Sequence, residues 1–246
     1  MLAHDVAGDG DPVVLLHSSV CDRHQWDAQW PALTDRYRAV RCDLPGSGDS
    51  PLAGAEVHPA EAVRALLDEL DLGTVTLVGS SFGGRIALEF ASTWPERVGR
   101  LVLICAGAGL PPGPELERFD EAETDLLEAG DVAGAVELNV RTWLGPDADD
   151  AAHAYVRAAQ RRMFDTWLAA DPEPATGHHE IRLDAVTMPT VVVSGAHDLS
   201  DFRYAATHLA TVLPDVQHVE LPWAGHLPNL ERPAEFTDLL LSYLRA

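Results

Sequence analysis

The chain has 246 residues, a length at which α/β folds commonly form one domain, and 46% of the residues are hydrophobic, which suffices for a sizeable core. Its 39 acidic residues outnumber its 17 basic ones, and the net charge of −22 argues against binding to nucleic acid or to an anionic membrane. The sequence contains no lysine, which excludes a Schiff-base lysine and a phosphate-loop lysine.

The cysteine pattern and the first residues indicate an intracellular protein. The three cysteines, Cys21, Cys42 and Cys105, show no C-x-x-C spacing, so we expect buried free thiols and neither a disulfide framework nor a zinc site. The start lacks the features of a signal peptide, and no apolar run approaches the roughly 18 residues that span a bilayer. We therefore expect a soluble cytoplasmic protein.

Short apolar runs alternate with helical patterns along the chain. Runs this apolar suit strands that are buried on both faces of a parallel sheet. The predicted strands are one around 2–7, then 13–16, 38–43, 74–79, 100–105, 190–195 and 216–221. The predicted helices between and after them include 59–72, 83–94 and 233–244. This order predicts a mostly parallel, doubly wound α/β sheet of about seven strands.

One region interrupts the alternation of strand and helix. From about Leu110 to Asp184 we find no convincing strand, and the pattern favours three helices. We expect 1–109 and 186–246 to form the core, and 110–185 to form a helical lid over the carboxyl edge of the sheet, where open α/β folds bind ligands. The acidic run at 147–150 is interpreted as the solvated start of a helix.

The stretch VGSSFGG contains a G-x-S-x-G pattern with Ser81, and not Ser80, at its centre. In this pattern a sharp turn between a strand and a helix lifts the central serine above the sheet, and small flanking residues let the two backbones approach. The turn also sets the hydroxyl at a helix N-terminus, where negative charge is favoured. We therefore interpret Ser81 as a nucleophile; the alternative is a glycine-rich turn with a capping serine.

A nucleophilic serine needs a histidine base and a carboxylate that orients the histidine. Asp198 follows the strand at 190–195, and His226 lies in a loop between the last strand and the last helix. Asp201 is the alternative candidate for the orienting carboxylate. The other nearby histidines lack the loop freedom of His226, because they adjoin the acid, sit in a predicted helix or lie in a strand; they are His197, His208 and His218.

Five motifs occur in an order that resembles the serine-type α/β-hydrolases. They are LLHSS, CDLPGSGDS, VGSSFGG, GAHD and AGHLPNLERP, and together they span nearly the whole chain. The resemblance implies the α/β-hydrolase fold, with Ser81 as nucleophile, Asp198 as orienting acid and His226 as general base and acid. It also implies an oxyanion hole formed by backbone N–H groups of Ser19 and Phe82.

The sequence departs from the family pattern after the first core strand. His17 is followed by Ser18 and Ser19 where the family usually has His-Gly. Enol-lactone hydrolases, which this chain resembles, can carry serine there, although the backbone is then less free than with glycine. We expect His17 to be structural, packed beneath the oxyanion loop.

Two further groups of residues are candidates for binding. The aromatic residues of the lid are candidates for lining the site, although each could be core: Phe119, Trp143, Phe164 and Trp167. The adjacent His178 and His179 could be imagined as metal ligands, but in a Pro- and Gly-containing linker we expect them to be solvated. We therefore expect no metal and no cofactor.

These patterns predict a cofactor-free serine hydrolase that cleaves a small carboxylic ester, with lactones and enol-lactones as the favoured subset. Carbon–carbon bond hydrolysis, perhydrolysis of the haloperoxidase type and acyl transfer remain alternatives within the fold. A ligand receptor with little turnover is the alternative from another class. The expected partner is a small molecule; the sequence does not indicate an oligomeric state.

Overall fold

The computed structural model describes residues 1–52, 54–172 and 174–245. Nine strands and nine α-helices occur in this part of the chain. The strands are β1 (His4–Ala7), β2 (Pro12–Leu16), β3 (Arg38–Cys42), β4 (Glu56–Val57), β5 (Val75–Ser80), β6 (Val98–Ile104), β7 (Ala175–Thr176), β8 (Thr190–Gly195) and β9 (Val216–Leu221). The helices are α1 (Trp30–Thr34), α2 (Pro59–Glu69), α3 (Phe82–Thr93), α4 (Pro114–Glu128), α5 (Val132–Trp143), α6 (Asp150–Leu168), α7 (Ser200–Val212), α8 (Pro228–Glu231) and α9 (Pro233–Arg245).

Seven strands form the central sheet in the order β1-β3-β2-β5-β6-β8-β9. Strand β1 pairs antiparallel with β3, and the other neighbours pair parallel. One apolar cluster, which includes residues of α2, α3 and α7, covers one face, and a second cluster with residues of α9 covers the other. Because both faces are covered, the central strands are apolar throughout. The predicted seven-stranded, mostly parallel α/β sheet is confirmed.

The chain between β6 and β8 is mainly helical. Helices α4, α5 and α6 pack on one another around a third apolar cluster, which also contains Val20 and Leu227 from loops of the core. Helix α6 begins at Asp150 after the N-cap Asp149, whose side chain accepts a hydrogen bond from the Ala152 N–H, as the acidic run predicted.

The expectation of no strand between 110 and 184 was wrong in one detail. Strand β7, only two residues long, pairs with β4 in a separate two-stranded sheet. Two residues are too few to show the alternation on which strand prediction depends. Within the described residues, no helix has the length and apolarity that crossing a bilayer requires.

Candidate active site

Ser81 lies in the turn between β5 and α3. Its backbone has φ 53° and ψ −115°, a strained conformation for a residue with a side chain. A Cβ atom at Gly79 would lie 2.4 Å from the Gly83 carbonyl oxygen, and one at Gly83 would lie 2.4 Å from the His17 carbonyl oxygen. These contacts explain why glycine flanks the serine on both sides: the strand, the turn and the neighbouring loop approach too closely for any side chain.

The two serines of this turn have different partners. The Ser81 hydroxyl lies 2.7 Å from His226 Nε2. The Ser80 hydroxyl instead accepts a hydrogen bond from Gln25 Nε2, at 3.1 Å, in a fully buried site. The geometry therefore brings Ser81, and not Ser80, to the histidine.

Asp198 and His226 come from the loops that follow β8 and β9. His226 Nδ1 lies 2.8 Å from Asp198 Oδ2, and the other carboxylate oxygen accepts a hydrogen bond from the Leu199 N–H at 2.7 Å. His226 is only 1% exposed, and the Asp198 side chain is shielded from solvent. Together with Ser81 these residues form one continuous hydrogen-bonded chain, the arrangement that lets histidine take a proton from serine.

The competing residues are engaged elsewhere. Asp201 accepts a hydrogen bond from the Gly113 N–H at 2.5 Å. His208, in α7, stacks against Tyr204, and His218, in β9, lies 2.9 Å from the Ser194 hydroxyl.

Two aromatic rings enclose the His226 imidazole. The Trp143 ring centroid lies 4.6 Å from the His226 ring centroid. The Phe202 ring centroid lies 4.3 Å from the His226 centroid, and these two rings form a T-shaped pair. The Trp143 indole N–H donates to Asn139 Oδ1 at 2.8 Å, which fixes the ring. Trp143 was predicted to line the site. Phe202 was not predicted, because its contact with His226 depends on the tertiary packing of α7, and Asn139 was not predicted as the partner of the Trp143 indole.

The loop that carries His226 is held from behind by the buried Glu231. Its carboxylate accepts the Gly225 N–H at 2.8 Å and the Leu227 N–H at 3.1 Å, the two amides on either side of the histidine. Gly145, at the end of the α5 region, packs directly on the same carboxylate. Burial raises the pKa of Glu231, while these backbone N–H groups and the nearby His226 act to lower it. Glu231 therefore fixes the backbone from which His226 projects.

The loop after β2 is fixed by two buried side chains. His17 Nε2 accepts the Leu44 N–H at 2.8 Å, so its Nδ1 carries the proton and donates to the Ser18 carbonyl at 2.8 Å. Burial lowers the pKa of His17, in agreement with this neutral form. The Ser18 N–H donates to Gln25 Oε1 at 2.8 Å. His17 thus lies beneath the loop as a structural residue, and Ser19, two positions further on, reaches the cavity wall.

A cavity of about 360 Å³ opens onto the Ser81 hydroxyl. Core residues line one part of it, including Ser19, Phe82 and Arg85, and the helical segment lines the rest with residues that include Phe119 and Trp143. This volume lies within the range of small-molecule sites.

Phe164 and Trp167 do not belong to the described lining of this cavity, contrary to the expectation that they would line it. Phe164 is 5% exposed and packs in the apolar cluster of the three helices. The Trp167 indole lies at the far end of α6, where a Cβ atom on Gly46 would be 2.6 Å from its Nε1. Phe164 therefore packs among the three helices, and Trp167 packs on the turn after β3.

Among the described residues, one cluster has the spacing of a metal site: Cys105, Asp198 and His226. Asp198 and His226 also belong to the candidate catalytic group. Asp198 and His226 are already bonded to each other, and burial raises the pKa of the Cys105 thiol, which favours the thiol over the thiolate that a metal needs. The donor chemistry therefore suits a hydrogen-bonded triad better than a metal centre.

His178 and His179 contact carboxylates. His178 Nδ1 lies 2.8 Å from the buried Glu89, and His179 Nε2 lies 3.1 Å from Glu61. They anchor the chain after β7 to α3 and α2. Both side chains are partly exposed, as expected, but each also contacts a carboxylate.

The thiols provide a first testable prediction. Burial raises the pKa of Cys42 to about 12 and also raises the pKa values of Cys21 and Cys105. Because the thiolate is the reactive form, we expect none of the three to react with a disulfide reagent within minutes at pH 8 in the native protein, and all three to react in guanidinium chloride. Reaction of any of the three thiols within minutes in the native protein would contradict the inference that they are buried and unreactive.

The comparison with known families agrees with this geometry. A family model described as "Alpha/beta hydrolase family" matches residues 13–239. The chain belongs to this family. Its members share a fold, and the name of the family describes hydrolases.

Individual relatives cover nearly all of this alpha/beta hydrolase. It is 31% identical over 245 residues to the dihydrolipoyllysine-residue acetyltransferase component of the acetoin cleaving system of Pseudomonas putida, covering 96% of this chain but only 64% of that protein. It is 28% identical to a pimeloyl-[acyl-carrier protein] methyl ester esterase of Aeromonas hydrophila, covering 95% of each chain. The crystal structure of a hydrolase from Pseudomonas aeruginosa PA01 is similar with a TM-score of 0.82 and 29% identity, covering 100% of this chain and 94% of that one.

Proposed function

We propose that this alpha/beta hydrolase is a serine esterase that cleaves small carboxylic esters or lactones through an acyl-enzyme on Ser81. The observation that carries the proposal is the hydrogen-bonded chain from the Ser81 hydroxyl through His226 to Asp198, at the wall of a cavity. The relative named as a methyl ester esterase supports an ester as the substrate.

The reaction follows from the positions of these groups. The Ser81 oxygen attacks the carbonyl carbon while His226 Nε2 takes its proton, and Asp198 holds Nδ1–H and stabilises the imidazolium. The tetrahedral intermediate collapses when His226 returns the proton to the leaving alkoxide, which departs as the alcohol. A water molecule, deprotonated by the same histidine, then attacks the acyl-enzyme and releases the acid.

The oxyanion of each tetrahedral intermediate is held by the backbone N–H groups of Ser19 and Phe82 in this proposal. Both residues line the cavity beside Ser81. Phe82 begins α3, so its N–H belongs to the first turn, which lacks partners within the helix and favours negative charge. The anchoring of Ser18 by Gln25 and of His17 by Leu44 supports a fixed loop without the usual glycine.

We further propose that residues 110–185 act as a lid. Helices α4 and α5 contribute Phe119 and Trp143 to the cavity wall, and α6 contributes Met163. In this proposal these side chains cover the space above Ser81, so that a compact acyl group fits and a long acyl chain does not.

A panel of p-nitrophenyl esters with acyl chains of two to sixteen carbons tests this function. We expect kcat/KM for the short esters to exceed that for the sixteen-carbon ester by at least about 10-fold, because a closed pocket excludes surplus methylenes. Small lactones should also be hydrolysed. A kcat/KM that is highest for the longest chain would contradict the closed lid, and no turnover of any ester or lactone would contradict the esterase itself.

A further inference from the structure

Arg85 places a positive charge in the cavity close to the proposed nucleophile. It lies one helical turn after Ser81 in α3, and its backbone N–H donates to the Ser81 carbonyl at 2.9 Å. Its half-buried side chain is part of the cavity wall.

The Arg85 guanidinium lacks a partner. Within residues 1–52, 54–172 and 174–245 its side chain makes no hydrogen bond or ion pair, and its Nε atom is buried. The other arginines of this region that are not exposed all have partners: Arg23, Arg38, Arg41, Arg97, Arg100 and Arg232. A partly buried cation without a counter-charge is costly, so its presence at the wall of a cavity points to an anion that arrives with a ligand.

A second residue of the cavity wall also has an unpartnered polar atom. Gln160, in α6, is 1% exposed, and its Oε1 atom has no hydrogen-bond partner among the described residues. Because buried polar groups are normally satisfied, these two atoms together indicate a polar occupant and not a plain alkyl chain.

Three carboxyl groups lie on other elements around the cavity: Asp120 and Glu123 in α4, and Asp201 in α7. Burial and Asp201 raise the pKa of Asp120, and burial raises the pKa of Glu123. Within the described residues, none of the three carboxyl groups forms an ion pair with Arg85. Arg85 is therefore not neutralised by these groups. An anion that extended towards α4 would be repelled, so the favourable position for it is beside Arg85, near the reacting carbonyl.

We propose that Arg85 binds a carboxylate of the substrate, and that the preferred substrates are monoanionic acyl compounds: half-esters of short dicarboxylic acids, or lactones that carry one carboxylate a few bonds from the carbonyl. This inference rests on the proposed esterase function and specifies its substrate class. A guanidinium suits the role because its planar fork of N–H groups matches the two oxygens of a carboxylate.

Matched ester pairs test the proposal. Monomethyl succinate and methyl succinamate differ only in carboxylate against carboxamide, and the glutarate and glutaramate pair sets the same group one bond further away. We expect the wild-type protein to prefer the carboxylate of at least one pair by about 10- to 100-fold in kcat/KM, the range expected for hydrogen bonds to a charged group. In Arg85→Met this ratio should fall to about one or below, and Arg85→Lys should retain part of it. Arg141→Met, which removes an exposed arginine outside the cavity wall, should keep the wild-type ratio.

The outcomes separate this inference from the proposed function. Thermal unfolding of each variant checks that it is folded, and Arg85→Lys provides a folded comparison if Arg85→Met is not. Wild-type ratios near or below one for both pairs would overturn the inference, as would a preference that Arg85→Met and Arg85→Lys both leave unchanged. If p-nitrophenyl acetate is cleaved in a Ser81-dependent way but neither pair is cleaved, the inference fails and the esterase stands. Failure of p-nitrophenyl acetate cleavage itself would remove the proposed function instead.

Discussion

Replacing Ser81 or His226 by alanine is expected to lower kcat/KM for a short activated ester by at least about 10³-fold, with the fold retained. Triad members act as a unit, so removing either one costs about as much as removing both. We expect the fold to be retained because neither side chain belongs to the three apolar clusters that form the core. Asp198→Asn should cost a similar or smaller factor. Steady-state kinetics and circular dichroism of each variant check the prediction.

Ser80→Ala is the matched control for Ser81→Ala. The Ser80 hydroxyl accepts from Gln25 and does not reach the histidine, so its loss should affect stability more than chemistry. Removing this buried acceptor is expected to cost about 1 kcal/mol and to leave most of the esterase activity. An inactive Ser80→Ala variant together with an active Ser81→Ala variant would show that Ser80 is the nucleophile.

After the triad variants, Glu231→Gln is expected to have the largest effect, and it should lower both stability and kcat. The two carboxylate oxygens accept the N–H groups of Gly225 and Leu227, and the substitution replaces one acceptor by an NH2 group that faces an N–H donor. A buried donor without an acceptor costs about 1–3 kcal/mol, so the free energy of unfolding should fall by about 2 kcal/mol. Because these amides flank His226, we also expect kcat to fall by about 10-fold or more. Urea unfolding and ester kinetics measure the two effects.

Glu235→Gln is the control for this substitution. Glu235 is exposed at the start of α9, and among the described residues it pairs with Arg232 alone. Its neutralisation should therefore change stability by less than about 0.5 kcal/mol and leave kcat as in the wild type. If Glu231→Gln behaved like Glu235→Gln in both measurements, the carboxylate would not be needed to hold the histidine loop.

The sequence predicts the sheet and the three triad positions because local patterns encode them. Each central strand is an apolar run bounded by turn residues, and a parallel sheet turns such runs into buried strands. Gly79 and Gly83 mark the turn at Ser81, since close backbone contact excludes every larger residue there. Asp198 and His226 follow strand ends, so the topology alone brings them to the same edge of the sheet.

The surroundings of the site could not be predicted in the same way. Glu231, Gln25 and Phe202 act through contacts that depend on how separate loops and helices meet in space. The aromatic residues of α5 and α6 carry the same amphipathic pattern whether they face the cavity or the neighbouring helix. Trp143 therefore lines the cavity while Phe164, with the same signal, is core.

Mass spectrometry of the protein after reaction with a fluorophosphonate tests the central claim most directly. We predict a single adduct on the peptide that contains Ser81, formed with complete loss of ester hydrolysis, absent from Ser81→Ala and retained in Ser80→Ala. An adduct on Ser80 or on another residue, or full hydrolysis by a protein that carries the Ser81 adduct, would contradict the assignment of Ser81 as the nucleophile.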